Sequence, residues 1–162
     1  LAIKEKDKPG GEKIIGGGPP ALGAYTAGVA YILQKEGGRS EDLKYLATVL
    51  DRYPWNEEGW WASTIDVATG EPKVPLTKPS IINKTAAIAM AAGIVSAYVR
   101  DIAPELSSRL KQKADKCIYG QIVPAQEADG FWHYSLSDND PKEKDVLGYF
   151  LTKLLLLPDF HF

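Results

Sequence analysis

The chain has 162 residues, 44% of them hydrophobic and 25% charged, which is ordinary for one globular domain with a core of its own. A formal net charge of -2 supplies no basic field for nucleic acid. The single cysteine, Cys117, excludes an intramolecular disulfide and a cysteine-rich zinc site, and the longest uncharged helix-like run, Thr85 to Val99, falls short of the roughly 18–20 residues that a membrane span needs.

Residues 1–20 are polar and rich in Gly and Pro, so they read as extended chain or loop ahead of a helical domain over 21–162. Gly16-Gly17-Gly18 is followed by Pro19-Pro20 and not by the Gly-Lys-Ser/Thr of a phosphate loop, which sets the phosphate reading aside. The chain opens on Leu1 with no visible signal peptide, and we read it as a processed product or a piece of something longer. Ala21 to Gln34 carries small and apolar residues on every face and predicts a helix buried on several sides. Gly37-Gly38 stops it, and Ser40, with Glu41 and Asp42 behind it, starts the next. That second helix is amphipathic. Leu43, Leu46, Val49, Leu50 and Tyr53 form one stripe, while Lys44, Asp51 and Arg52 are expected to face away.

Pro54 ends the stripe and opens a long loop to Pro79, in which Thr69-Gly70 marks a short irregular hairpin. Residues 81–99 are again apolar all round and predict the most buried helix. Pro104 suits the first turn of the following one. There Leu106, Leu110, Ala114, Cys117 and Ile118 form a second single stripe, Arg109, Lys111, Lys113 and Lys116 are expected in solvent, and Gly120 is expected to close the helix. A second long loop leads to a third mostly apolar helix at 145–157, stopped by Pro158. In "SDNDPKEKD", Asp138, Asn139, Asp140 and Asp145 tempt a calcium reading. The stronger reading is a helix start, with Asp140 as cap, Pro141 in the first turn and Glu143 completing a capping box.

Buried helix, amphipathic helix and aromatic loop thus recur. Three of the four tryptophans fall between Trp55 and Trp61, and the fourth follows the same phrase: Glu58-Gly59-Trp60-Trp61, then Asp129-Gly130-Phe131-Trp132. We read an internal repeat of inner and outer helices whose long loops gather at one end. The alternation, with "EEGWW" and "DGFWHYS" in the outer-to-inner loops, resembles the (α/α) toroid class of carbohydrate-active proteins, which includes many-hairpin glycoside hydrolases and polysaccharide lyases. The resemblance implies an all-α fold, an incomplete toroid of helical hairpins, and a cleft at the loop end. It implies a polysaccharide or oligosaccharide as ligand, no cofactor, and a secreted or periplasmic protein, although one cysteine fits a cytoplasm as well. A closed toroid of six hairpins needs roughly 300 residues. This chain supplies about two and a half hairpins, so a homo-oligomer or a missing companion segment is expected.

Several residues are candidates for that chemistry. Trp55, Trp60 and Trp132 offer flat faces for sugar rings, against the plainer reading of loop tryptophans as plugs, which the repeat favours for Trp61 and Trp132. Hydrolysis needs two carboxyl groups roughly 5 to 9.5 Å apart, and Asp66 with Asp129 or Asp138 would supply them. Elimination, as the lyase resemblance implies, would use His133 and Tyr134 as proton-transfer groups. Asn83 and Lys84 would then hold an acidic group at a helix start. The competing readings are a non-catalytic carbohydrate- or peptide-binding module and a purely structural fragment.

Overall fold

The computed structural model describes residues 2–4, 12–14, 28–37, 40–62, 65–66, 69–73, 76, 82–130, 132–133 and 144–145. Four α-helices carry these residues: α1 over 28–35, α2 Ser40–Arg52, α3 Ile82–Val99 and α4 Pro104–Cys117. The fold is all-α in character. Two small antiparallel ladders accompany it, β1 Ala2–Lys4 with β2 Glu12–Ile14, and β3 Trp132–His133 with β4 Lys144–Asp145.

α3 is the centre. It packs against α4 on one side and α2 on another, and α2 also touches α4. Thr85 and every residue from Ala86 to Ala92 are buried, as are Val95, Ser96 and Val99. Ala87, Ala89, Ala91 and Ala92 bring α3 close to its neighbours, because a methyl group keeps two backbones near each other. The stripes of α2 and α4 face it. Leu43, Ala47, Leu50 and Tyr53 are buried on one, and Leu110, Ala114 and Cys117 on the other. Ser107 donates its hydroxyl to the Ser96 carbonyl at 2.7 Å, a polar tie across the α3–α4 contact. Although α3 is the longest helix, none among the described residues is long and apolar enough to cross a membrane.

Some expectations are corrected. α1 is not buried on several sides: Ala30 is buried, but Tyr31 and Ile32 are exposed. Gly120 does not close α4. The helix continues through one π turn, Ile118–Ile122, and a short 3-10 turn, Val123–Ala125, since the apolar stripe runs on through Ile118 and Ile122, both buried. Lys144 and Asp145 pair in extended conformation with Trp132 and His133, where the capping-box reading puts a helix start. The rest of that expected helix, 146–157, lies outside the described residues, as do Gly16 to Gly18, residues 21–27, and Asp138, Asn139 and Asp140.

The two aromatic phrases fold alike. Gly59 donates its N–H to the Asn56 carbonyl at 3.0 Å, and Gly130 to the Glu127 carbonyl at 2.9 Å. Both glycines have positive φ, 102° and 86°, which an L side chain rarely adopts. Two residues after each glycine stands a buried tryptophan, Trp61 at 1% exposure and Trp132 at 5%. The repeated sequence is thus a repeated turn that drops a tryptophan into the helices.

Candidate functional site

The first aromatic loop is a tight ribbon. Trp55 and Trp61 face each other in an antiparallel bridge, Asn56 donates to and Ala62 completes the same ladder: Asn56 N–H to the Trp60 carbonyl at 3.0 Å, Ala62 N–H to the Pro54 carbonyl at 2.9 Å. The Asn56 side chain shapes the tip. Its Oδ1 accepts the Trp60 N–H at 2.8 Å and its Nδ2 donates to the Leu76 carbonyl at 2.6 Å. Further on, the expected hairpin is present. Ile65 bridges Pro72, Asp66 N–H reaches the Glu71 carbonyl at 2.7 Å, and Gly70 turns the chain at φ 77°.

This ribbon lies on the C-terminal end of α4. Gly59 sits against the Lys116 backbone, and the Gln121 amide donates to the Glu58 carbonyl. Trp132 from the second loop donates its indole N–H to the Ile122 carbonyl at 2.6 Å. Both phrases therefore meet the same helix end. The start of α3 joins them through Thr85, whose Oγ1 accepts the Trp61 N–H at 2.9 Å and lies 3.8 Å from the Cys117 sulfur. Burial pushes the Cys117 thiol up to about 12, with the Thr85 contact pulling weakly the other way, so this thiol is not a nucleophile near neutral pH.

Thr85→Val removes the one acceptor of a buried backbone N–H while keeping shape. The expected loss is about 1–3 kcal/mol, read from urea denaturation, with Thr85→Ser close to wild type. A wild-type midpoint for Thr85→Val would show that the Trp61 N–H finds another partner.

Lys113 and Asp51, which the stripes place in solvent, are instead half-buried at 21% and 17% side-chain exposure. Lys113 donates to the Asp51 carbonyl at 2.6 Å and to its carboxylate at 2.9 Å, so one ammonium group both pairs a charge and caps the C-terminal end of α2. Arg109 donates to the other carboxylate oxygen through Nε at 3.2 Å and Nη2 at 3.1 Å. The Lys113 Nζ also lies 5.7 Å from the Trp55 ring centre and 5.9 Å from that of Trp61, within cation–π range. Periodicity could not reveal this cluster, because it joins positions some sixty residues apart that each look like an ordinary solvated charge.

Burial raises the Asp51 carboxyl, but the hydrogen bonds and charges of Lys113 and Arg109 outweigh it and hold the group below the usual 3.8. A carboxyl lowered by folding stabilises the protein above its unfolded value, and that contribution is lost as pH falls through the folded value. We expect the acid limb of the stability curve below about pH 4 to flatten in Asp51→Asn. Thermal melts across that range would check it, and an unchanged acid limb would remove Asp51 from the cause.

The sequence candidates are placed as follows. Trp60 is buried at 6% exposure, like Trp132, which leaves little ring surface on either for a ligand; Trp55 is half-buried. Lys84 is partly buried in the first turn of α3, and Asn83 precedes it there. Asp66 is partly buried in the hairpin, where it accepts the Thr69 N–H at 3.3 Å. Asp129 is exposed in the second turn. His133 stands in β3. Tyr134 lies outside the described residues. Among the described residues, no three His, Cys, Asp or Glu side chains group closely enough to hold a metal ion. No family model, curated protein or solved structure matches this chain. The site is therefore read from its own chemistry.

Proposed function

We propose that this chain is a carbohydrate-active helical-hairpin module, part of an incomplete (α/α) toroid, that handles a polysaccharide across its two aromatic loops. The observation that carries the reading is the meeting of both loops at one end of α4, with Trp55 half-buried at the edge and polar candidates on both sides. Elimination through His133 and Tyr134, with Asn83 and Lys84 on an acidic group, is preferred slightly over hydrolysis through Asp66 and Asp129. The burial of Trp60, Trp61 and Trp132 favours a second reading, a non-catalytic carbohydrate-binding or structural module in which most of the aromatics hold the loops in place. The exposed Tyr31 and Ile32 on α1 support an edge that a second copy or a companion segment covers.

The chemistry separates these readings. Elimination leaves an unsaturated sugar that absorbs ultraviolet light, whereas hydrolysis leaves reducing ends alone. Under the lyase reading His133→Ala abolishes the new absorbance and Asp129→Asn barely alters it; under the hydrolase reading the effects exchange. A chain that binds polysaccharide with neither product is the non-catalytic module. Polysaccharide binding that is absent, or that survives Trp55→Ala unchanged, sinks the placement across the aromatic loops.

A further inference from the structure

Trp55 and Trp61 are opposed residues of one antiparallel ribbon, so their side chains leave it on the same side, with Cβ atoms about 4.5–5.5 Å apart. Both indole nitrogens are buried, and neither donates to any acceptor. Trp132, by contrast, spends its indole N–H on the Ile122 carbonyl. An unmade hydrogen bond on a buried donor is costly, and most buried polar groups in folded proteins avoid it. Two such donors side by side are a coincidence of a kind that binding sites contain.

The surroundings add more donors. Lys113 Nζ, near both rings, has three N–H bonds to give, and Asp51 takes two of them. Lys116 Nζ lies 5.7 Å from the Trp55 ring centre. Its carboxylate neighbour, Glu57, is 4.0 Å away and almost fully exposed, at the outer limit of an ion pair. The acidic groups facing this corner are thus Asp51, already bound by Lys113 and Arg109, and the loosely held Glu57. Donors exceed acceptors, and the surplus sits beside an aromatic surface. The complement to such a set is a group with acceptors alone, a negative charge and a small planar shape.

We propose that the Trp55–Trp61 ribbon and the Lys113–Lys116 edge of α4 form a carboxylate-binding site. The carboxylate belongs to an acidic sugar or to a free organic acid. For the sugar, the inference rests on the polysaccharide reading above; the site itself does not.

The test titrates the full chain with glucuronate, succinate and glucose, following heat and tryptophan fluorescence. Both acids should bind saturably and perturb the fluorescence, and glucose should bind far more weakly than glucuronate. Tighter binding of glucuronate assigns the carboxylate to a sugar, and tighter binding of succinate to a free acid. Trp55→Phe keeps a ring but removes one indole donor, and Lys116→Met keeps the stem without the charge. Each should weaken acid binding about tenfold, as expected for one lost hydrogen bond to a charged group. Lys111→Met, whose ammonium pairs with Asp115 on α4, should bind as wild type does. Lys116 is exposed, so its replacement does not threaten the fold. Glucose binding as tightly as glucuronate would overturn the carboxylate site and leave the polysaccharide reading standing. Failure of both acids to bind, or binding that neither variant weakens, would overturn the site, while the polymer assays above judge the polysaccharide reading separately.

Discussion

Ala91→Asp is expected to cost about 3–5 kcal/mol, enough to unfold much of a domain whose total stability is on the order of 5–15 kcal/mol. Ala91 is fully buried at the middle of α3, with Ala89 and Ala92 equally buried beside it. A carboxylate there loses its hydration. The charged residues nearest in sequence, Lys84 and Arg100, stand at the two ends of the helix, too far along it to pair with the new charge. Protonation relieves the charge but leaves a polar group and added volume where only a methyl group fits. Urea denaturation followed by circular dichroism gives the value. A change below about 1 kcal/mol would mean that α3 is not the centre of the fold.

Gly59→Ala should be nearly as damaging, for a reason that lies in the backbone. At φ 102° a Cβ at this position would come within 3.0 Å of the Lys116 carbonyl oxygen and 3.2 Å of its carbon. The obstacle is the main chain of α4, which cannot swing aside as a side chain does. Conformational strain of about 1–3 kcal/mol therefore adds to a clash of similar size. Gly70 and Gly130 make a matched control. Both have positive φ, but an added Cβ meets nothing within 4 Å at the first and only the Gln126 amide at 3.9 Å at the second. Gly70→Ala and Gly130→Ala should each cost about 1 kcal/mol. Equal urea midpoints for all three variants would show that the Gly59–Lys116 approach is not tight in solution.

The helical part of the fold was legible because burial and period speak together. Leu43, Leu50 and Tyr53 on α2, and Leu110, Ala114 and Cys117 on α4, are buried as their spacing predicts. The uncharged run from Thr85 to Val99 lies in the central helix. Period fails where a side chain does two things at once. Lys113 carries a charge into a half-buried position because Asp51 and two indole rings receive it there, and nothing near Lys113 in the chain announces those partners. Asn56 and Thr85 look like ordinary polar residues of a loop and a helix start, but each binds backbone that the fold brings to it. The Trp-Gly phrases announced a repeat; only the positive φ of Gly59 and Gly130 tells what is repeated.

The π turn that follows α4 has a geometric meaning of its own. Its closing bond runs from the Val123 N–H to the Ile118 carbonyl, five residues back in place of four, so the turn accommodates one residue more than an α-turn would. Cys117 and Ile122, five residues apart, are both fully buried, although an unbroken α-helix would set positions at that spacing well out of line. The wide turn thus acts as a spacer that keeps the inward face in phase across an added residue. A residue gained or lost within such a turn leaves everything downstream pointing as before. The second aromatic loop can therefore keep its seat on the helix end even though its chain length from the helix differs from that of the first.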